Sequence, residues 1–131
     1  MNYWLLKTEP NCYSFDDLVR DRQTHCDGVR NYQARNNLKS MKKSDLCFIY
    51  HSVGPREIVG TARVVKEYYP DPTTNDAAWV VVDVEPIKKL QNPISLAMIK
   101  NDPQLQHMQL IKQSRLSVCP VTTSEWEHLN H

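Results

Sequence analysis

The sequence lacks the features that would place it in a membrane or outside the cell. No apolar run approaches the roughly 18 residues that a membrane-spanning helix requires, so we expect no membrane insertion. The short apolar stretch near the N-terminus ends at Lys7 and Glu9, a pattern that a secretory signal peptide does not show. Internal repeats and low-complexity tracts are also missing. A chain of 131 residues with 40% hydrophobic and 24% charged residues is typical of one globular domain, which we expect to span residues 1–131.

Cysteine and histidine occur without the spacing that a disulfide framework or a metal site requires. The four cysteines are Cys12, Cys26, Cys47 and Cys119. None forms a CxxC pair, and scattered cysteines suit a reducing compartment, which predicts a cytoplasmic protein. His128 and His131 stand three residues apart, but no third metal-binding residue accompanies them. We therefore expect neither a metal ion nor another cofactor.

A large excess of charge of one sign is missing as well, because the formal net charge is only +1. The charge is nevertheless unevenly distributed. Residues 20–43 carry seven basic and two acidic side chains, a net charge of +5, whereas residues 67–86 carry five acidic side chains and no Lys or Arg. The basic segment predicts a footprint for a polyanion such as nucleic acid. Two oppositely charged segments that face each other in the fold would explain the same pattern.

What the sequence does contain is an unusual polar stretch at residues 28–36, with two guanidinium groups, three side-chain amides and one aromatic ring. Ala34, Leu38 and Met41 follow the i, i+4, i+7 spacing of an apolar helix face, so we predict a helix that packs through these three residues. The residues on its opposite, outward face are Tyr32, Arg35, Asn36 and Lys39. Such a face can grip a phosphate chain, although a solvated helix surface is the alternative interpretation.

The chemistry of this stretch suggests a division of roles. Arg30 and Arg35 have the forked donors that match phosphate oxygens, and we assign them as phosphate clamps. Asn31 and Gln33 can each make paired hydrogen bonds to a base edge, and Tyr32 offers a ring for base stacking. Capping of the predicted helix is the alternative role for Asn31.

Further candidates for the same site come from other parts of the chain. The additional aromatic residues are Trp4, Tyr50, Tyr69 and Trp79, and for the two tryptophans a place in the core is the alternative. The additional polar residues are Lys7, Ser14, His51, Ser52 and the thiol-bearing Cys26. Lys7 can pair with Glu9 near the mouth of a pocket. His51 and Ser52 end an apolar strand, where a structural histidine is the alternative.

The pattern of apolar and turn-forming residues predicts an α+β fold with four to six strands. Strands are predicted at residues 3–7, 46–50, 57–68, 79–84 and 116–118. Helices are predicted at residues 15–21, capped by Ser14, after residue 28, within 93–111, and after a cap at Ser124. We expect residues 23–27 to form a loop and Gly60 to mark a bulge or a close approach.

Catalysis has little support in the sequence. The adjacent pairs His25-Cys26 and His51-Ser52 lack the surroundings of a nucleophile, because neighbours in sequence rarely face each other. We therefore assign no catalytic residue and expect a binding protein. The alternatives are an RNA-associated enzyme or accessory protein of nucleic-acid modification, and a redox-sensing module that uses Cys26.

Seven blocks spread over most of the chain carry a resemblance to a known family. They lie at residues 3–10, 14–18, 27–36, 48–52, 58–60, 69–71 and 115–121. With these blocks and their spacing, the chain resembles an EVE domain, a member of the PUA-like superfamily that includes the thymocyte nuclear protein family. The resemblance implies a strongly bent mixed β-sheet, or pseudo-barrel, flanked by short helices.

The resemblance also implies a function, namely binding of DNA or RNA that carries a modified base. The implied base is a modified cytosine, as in bacterial members, or a methylated adenine, as in the similarly shaped YTH domains. Two features depart from the family pattern. Cys26 stands where members generally have a tryptophan that would wall the pocket, and the segment between Asp71 and Trp79 is short. Both departures affect the ligand more than the fold.

Overall fold

The computed structural model describes residues 2–25 and 29–129, which form a six-stranded mixed sheet flanked by short helices. The strands are β1 (Tyr3–Thr8), β2 (Thr24–His25), β3 (Leu46–His51), β4 (Glu57–Pro70), β5 (Val80–Ser95) and β6 (Val118–Val121). The helices are α1 (Phe15–Asp21), α2 (Tyr32–Ser40), α3 (Leu96–Asn101), α4 (Gln109–Lys112) and α5 (Thr123–Leu129), with a 3-10 turn at Pro103–Leu105. The predicted α+β class is confirmed.

The strand order is β2-β5-β4-β3-β1-β6, and the sheet is not closed into a barrel. β1 and β3 run parallel, and the other neighbours are antiparallel. Leu5 and Leu6 of β1 and Phe48 and Ile49 of β3 are buried, as expected for strands covered on both faces. Register shifts along β4 and β5 mark bulges, which bend these long strands.

Both helices near the predicted site begin where the sequence predicts. Ser14 and Asp17 form a capping box at α1, since each side chain accepts a hydrogen bond from the other's backbone N–H. The Asn31 side chain caps α2 by accepting a hydrogen bond from the Ala34 N–H at 2.9 Å. Ala34, Leu38 and Met41 are all fully buried, which confirms the apolar face. Within the described residues, no helix combines the length and the apolar composition needed to cross a membrane.

Two segments were assigned wrongly from the sequence, because the strand pairing that decides them involves distant residues. Thr24 and His25 form β2 and not a loop, because they pair with Val84 and Asp83 of β5. Residues 93–95 are strand and not helix, since β5 extends along β4 to Ser95.

The last helix also begins differently from the prediction. Thr122, and not Ser124, caps α5, because its hydroxyl accepts the Glu125 N–H while the Glu125 carboxylate accepts the Thr122 N–H. The preceding strand begins at Val118, two residues later than predicted.

Helix α1 packs closely against the sheet at Gly60. A Cβ built on Gly60 would lie 2.5 Å from Cζ of the buried Phe15 ring, and the β4–β5 register shifts beside this residue. The predicted bulge and the predicted close approach are therefore both confirmed.

The first prediction tests this contact. We expect Gly60→Ala to lower the free energy of unfolding by about 1–3 kcal/mol, because the Phe15 ring must move within a packed core. Urea denaturation measures the loss. In a Phe15→Leu background the cost should shrink, and an equal cost in both backgrounds would show that another contact is responsible.

Candidate nucleic-acid interface

The start of α2 carries an exposed cluster of rings and guanidinium groups. The Tyr32 and Trp79 rings lie 5.0 Å apart between centroids with an interplanar angle of 33°. The Arg30 guanidinium carbon lies 5.7 Å from the Trp79 ring centroid, and that of Arg35 lies 4.9 Å from the Tyr32 ring centroid. Tyr32 is 62% exposed. These four residues are called the aromatic–arginine surface.

A buried carboxylate anchors this surface. Asp71, only 2% exposed, accepts a hydrogen bond from Arg30 Nη1 at 3.0 Å and two from Thr73, at 2.8 Å from its N–H and 2.6 Å from its hydroxyl. The Asp71 N–H donates to the Trp79 carbonyl at 3.0 Å. Arg30 therefore ties the basic segment to the acidic one, as the second interpretation of the charge pattern expects, and it is not a free phosphate clamp.

Arg35 and Lys39 extend the same side of α2. Arg35 donates from Nη2 to the Asn36 side-chain oxygen at 2.9 Å and approaches the Ala78 carbonyl at 3.5 Å. The Lys39 ammonium lies 5.7 Å from the Tyr68 ring centroid. The predicted outward face of α2 is thus present, and the loop after β4 completes it.

A large concavity lies beside this region, at the end of β1. It is a cavity of about 700 Å³, here called the β1 cavity, and its size is within the roughly 300–1,000 Å³ of small-molecule sites. Its walls are Leu6, Lys7, Thr8, Glu9, Cys12, Tyr13, Thr24, His25, Val29, Ser117 and Val118. Lys7 is the one predicted site residue among them.

Thr8 is the most informative wall residue of the β1 cavity. Its hydroxyl oxygen is buried and has no hydrogen-bond partner among the described residues. A buried polar atom without a partner costs roughly 1–3 kcal/mol, so its presence calls for an explanation. Its backbone carbonyl, in contrast, accepts hydrogen bonds from the Ser52 N–H at 2.9 Å and the Ser52 hydroxyl at 3.2 Å.

Tyr13 supplies an aromatic wall that the sequence analysis missed. It is half-buried, and its hydroxyl donates to Asp21 Oδ2 at 2.9 Å. Burial raises the pKa of the Tyr13 phenol above its ordinary value, a shift that hydrogen bonding to Thr24 opposes. The ring is therefore neutral at physiological pH and held in place at the cavity wall.

The two predicted base-edge readers lie on a different side of the α2 start from the aromatic–arginine surface. Asn31 and Gln33 line an open groove of about 340 Å³, here called the α2 groove. Its other walls are Lys112, Gln113, Ser114, Arg115 and Leu116. The Asn31 side chain caps α2, as its alternative role predicts, and its role as a base-edge reader stays a prediction. Residues adjacent in the sequence thus serve two separate surfaces.

Several predicted aromatic residues belong to the body of the fold. Trp4 is 5% exposed and donates from its indole nitrogen to the buried Asp45 at 3.0 Å, so the core interpretation holds. Tyr50 is buried as well, and burial raises the pKa of its phenol. The Tyr69 hydroxyl donates to Asp83 at 2.6 Å. We therefore remove the buried Trp4 and Tyr50 from the proposed base-stacking residues, whereas stacking on the half-buried Tyr69 stays a prediction.

The polar candidates His51, Ser52 and Ser14 also have structural partners. His51 Nε2 accepts the Phe15 N–H at 3.1 Å, which fixes the start of α1. Since Ser52 donates to Thr8 instead, His51 and Ser52 form no catalytic pair. The Ser14 hydroxyl is engaged in the α1 cap. Among the described residues, no group of three His, Cys, Asp or Glu side chains could hold a metal ion.

Cys26 lies outside the described residues, together with Asp27 and Gly28. The predicted effects of its thiol on the pocket and on redox sensing therefore stay predictions. The flanking residues His25 and Val29 both line the β1 cavity.

Fold and site together define an α+β domain of the PUA-like type, with a cavity at the end of a central strand and a basic helix beside it. Residues 2–131 match the EVE domain model, and the chain belongs to the EVE domain family. Mouse thymocyte nuclear protein 1 is 37% identical over an alignment that covers 98% of this chain and 72% of that protein.

Two solved structures show how closely the fold is shared. An Agrobacterium tumefaciens protein superposes with a TM-score of 0.95 at 39% identity, covering 98% of this chain and 90% of that one. Human THYN1 protein in complex with 5-methylcytosine-containing DNA superposes with a TM-score of 0.92 at 32% identity, covering 98% and 95%. This confirms the family predicted from the sequence.

The second prediction concerns His51. Burial lowers the pKa of its imidazole; Lys89 adds to that effect, whereas Glu57 and Asp16 oppose it. The folded state therefore favours the neutral His51 ring. The stability that this ring contributes is fully present above the unfolded pKa of about 6.5. That stability is lost as the pH falls from about 6.5 through the lowered folded pKa.

Urea unfolding between pH 7.5 and 5 measures this loss. His51→Gln keeps an acceptor for the Phe15 N–H without a titrating group, so its stability should fall less over the same range. An identical pH profile for both proteins would exclude His51 as the source.

Proposed function

We propose that this protein binds nucleic acid and holds a modified base in the β1 cavity. The observation that carries the proposal is a cavity of about 700 Å³ with Thr8 in its wall, a residue whose buried hydroxyl has no hydrogen-bond partner in the described part of the chain. The relative crystallised with 5-methylcytosine-containing DNA supports DNA as the polymer and a modified cytosine as the base. Binding, and not catalysis, is the proposed activity.

The cavity walls offer the contacts that a flipped base requires. Taking a base out of the stack costs a few kcal/mol, and stacking on an aromatic ring returns about 1–3 kcal/mol. We assign Tyr13 as the stacking ring and the Thr8 hydroxyl as a contact to the base edge. Lys7 and Glu9 line the same cavity and supply a donor and an acceptor at its rim.

The aromatic–arginine surface is proposed to contact the polymer outside the cavity. Arg35 and Lys39 carry positive charge on the exposed side of α2, and Tyr32 presents an open ring. Arg30 contributes charge but has a structural bond to Asp71, so its removal would disturb both binding and stability. As part of this proposal we retain a cytoplasmic location, which rests on the cysteine pattern alone.

An oligonucleotide panel tests the proposed function directly. Duplexes with one 5-methylcytosine, 5-hydroxymethylcytosine or methylated adenine are compared with unmodified twins at one salt concentration, with RNA versions in parallel. We expect tighter binding to the duplex with a modified cytosine, measured by fluorescence anisotropy. Equal affinity across the panel would contradict the assignment of a modified-base reader.

The fourth prediction isolates the Thr8 hydroxyl. Thr8→Val preserves shape but removes one hydrogen bond to the base, so we expect an affinity loss of about twofold to tenfold for the modified duplex. Thermal stability should stay equal or rise, because the lost hydroxyl has no protein partner among the described residues.

Thr8→Ser serves as the matched control, since it retains the hydroxyl and should bind more like the wild type. A Thr8→Val protein that binds the modified duplex as well as the wild type does would remove Thr8 from the site.

A further inference from the structure

A second concave region, separate from the β1 cavity, gathers positive charge. This cleft of about 280 Å³ is called the basic cleft, and its polar walls are Lys7, Tyr50, Ser52, Arg56, Ser114 and Arg115. Three of these side chains are cationic and none is acidic. Arg56 and Arg115 are exposed, whereas Lys7 is half-buried.

Among the described residues, no carboxylate forms an ion pair with the cations of the basic cleft. Ion pairs within the described residues use Arg20, Arg30, Arg63, Lys89 and His128 as their cations. Lys7, Arg56 and Arg115 are in none of those pairs. Like charges gathered around a concave surface without a carboxylate produce a positive potential that attracts an anion.

Lys7 is affected by the neighbouring positive charge of Arg56 in this cleft. Its ammonium donates to the Ser114 carbonyl at 2.6 Å and lies 5.9 Å from the Tyr50 ring centroid. Burial lowers the pKa of Lys7, Cys119 partly opposes the shift, and the charge of Arg56 lowers it further. An anion in the cleft would relieve this repulsion.

Shared wall residues connect the basic cleft to both other concave regions. Lys7 lines the cleft and the β1 cavity. Ser114 and Arg115 line the cleft and the α2 groove, where Lys112 adds another cation. Arg30, Arg35 and Trp79 line none of the three, so the aromatic–arginine surface is a different surface.

We propose that the basic cleft and the α2 groove form a track for the phosphates that flank the base held in the β1 cavity, with Arg56 and Arg115 as the principal phosphate contacts. The inference rests on the proposed function, because it takes the bound polymer to be nucleic acid. Forked guanidinium donors suit phosphate oxygens, and Ser52, Ser114 and the Tyr50 phenol add hydroxyl donors. Lys7 lines both the basic cleft and the β1 cavity, so we assign its ammonium to the phosphate of the flipped nucleotide.

The test measures salt dependence with Arg56→Gln and Arg115→Gln combined in one protein. Binding to a duplex with one 5-methylcytosine and to its unmodified twin is titrated at several salt concentrations. The logarithm of the binding constant falls linearly with the logarithm of the salt concentration, and each lost phosphate contact makes this slope shallower by about 0.9. We therefore expect the magnitude of the slope to decrease by about two. Affinity should drop for both duplexes by the same factor.

A charge-matched control separates local contacts from the general loss of charge. Lys88→Gln combined with Lys100→Gln also removes two exposed cations, and neither residue lines the three concave regions. This control should keep the wild-type slope. Melting temperatures of both double variants verify folding, and Arg56→Lys with Arg115→Lys, which keeps both charges, should restore most of the slope if phosphates are bound.

The outcomes distinguish the two proposals. A shallower salt slope in the Arg56→Gln, Arg115→Gln protein, with an unchanged preference for the modified duplex, supports both the phosphate track and the modified-base assignment. Loss of slope in a protein that prefers neither duplex supports the phosphate track and overturns the modified-base assignment. A wild-type slope in the Arg56→Gln, Arg115→Gln protein overturns the track, whatever the preference for the modified duplex.

Discussion

The parallel pairing of β1 and β3 is the constraint from which the rest of the site follows. Parallel neighbours require a crossover connection, so the chain must travel from the end of β1 back to the start of β3. That crossover, residues 9–45, contains α1, β2 and α2. The β1 cavity opens where the crossover leaves the sheet, and most of its walls are the last residues of β1 and the first half of the crossover. The Gly60–Phe15 contact and the His51–Phe15 hydrogen bond hold α1 against this edge.

Local patterns made much of the fold predictable. Three features depend on residues that lie close together in the sequence. They are the apolar spacing of Ala34, Leu38 and Met41, the Ser14 capping box and the buried run of β3. Features that depend on residues distant in the sequence could not be predicted from local patterns. β2 has two residues and exists only because β5 pairs with it.

The candidate site was predictable in its chemistry and only partly in its geometry. Tyr32 and Lys39 are exposed and Arg35 is half-buried on the same side of α2, as helical periodicity requires. Thr8 and Tyr13 carried no local signal, since an unpartnered hydroxyl and a cavity wall exist only in three dimensions. The separation of Asn31 and Gln33 from Tyr32 and Trp79 likewise depends on which loops pack around the start of α2.

A structure of the protein bound to a duplex with one 5-methylcytosine decides whether the β1 cavity holds a modified base. We expect the methylated base outside its stack, against the Tyr13 ring and within hydrogen-bond distance of the Thr8 hydroxyl. A methylated base that stays stacked in the duplex, with the β1 cavity not entered, would overturn the assignment of the cavity.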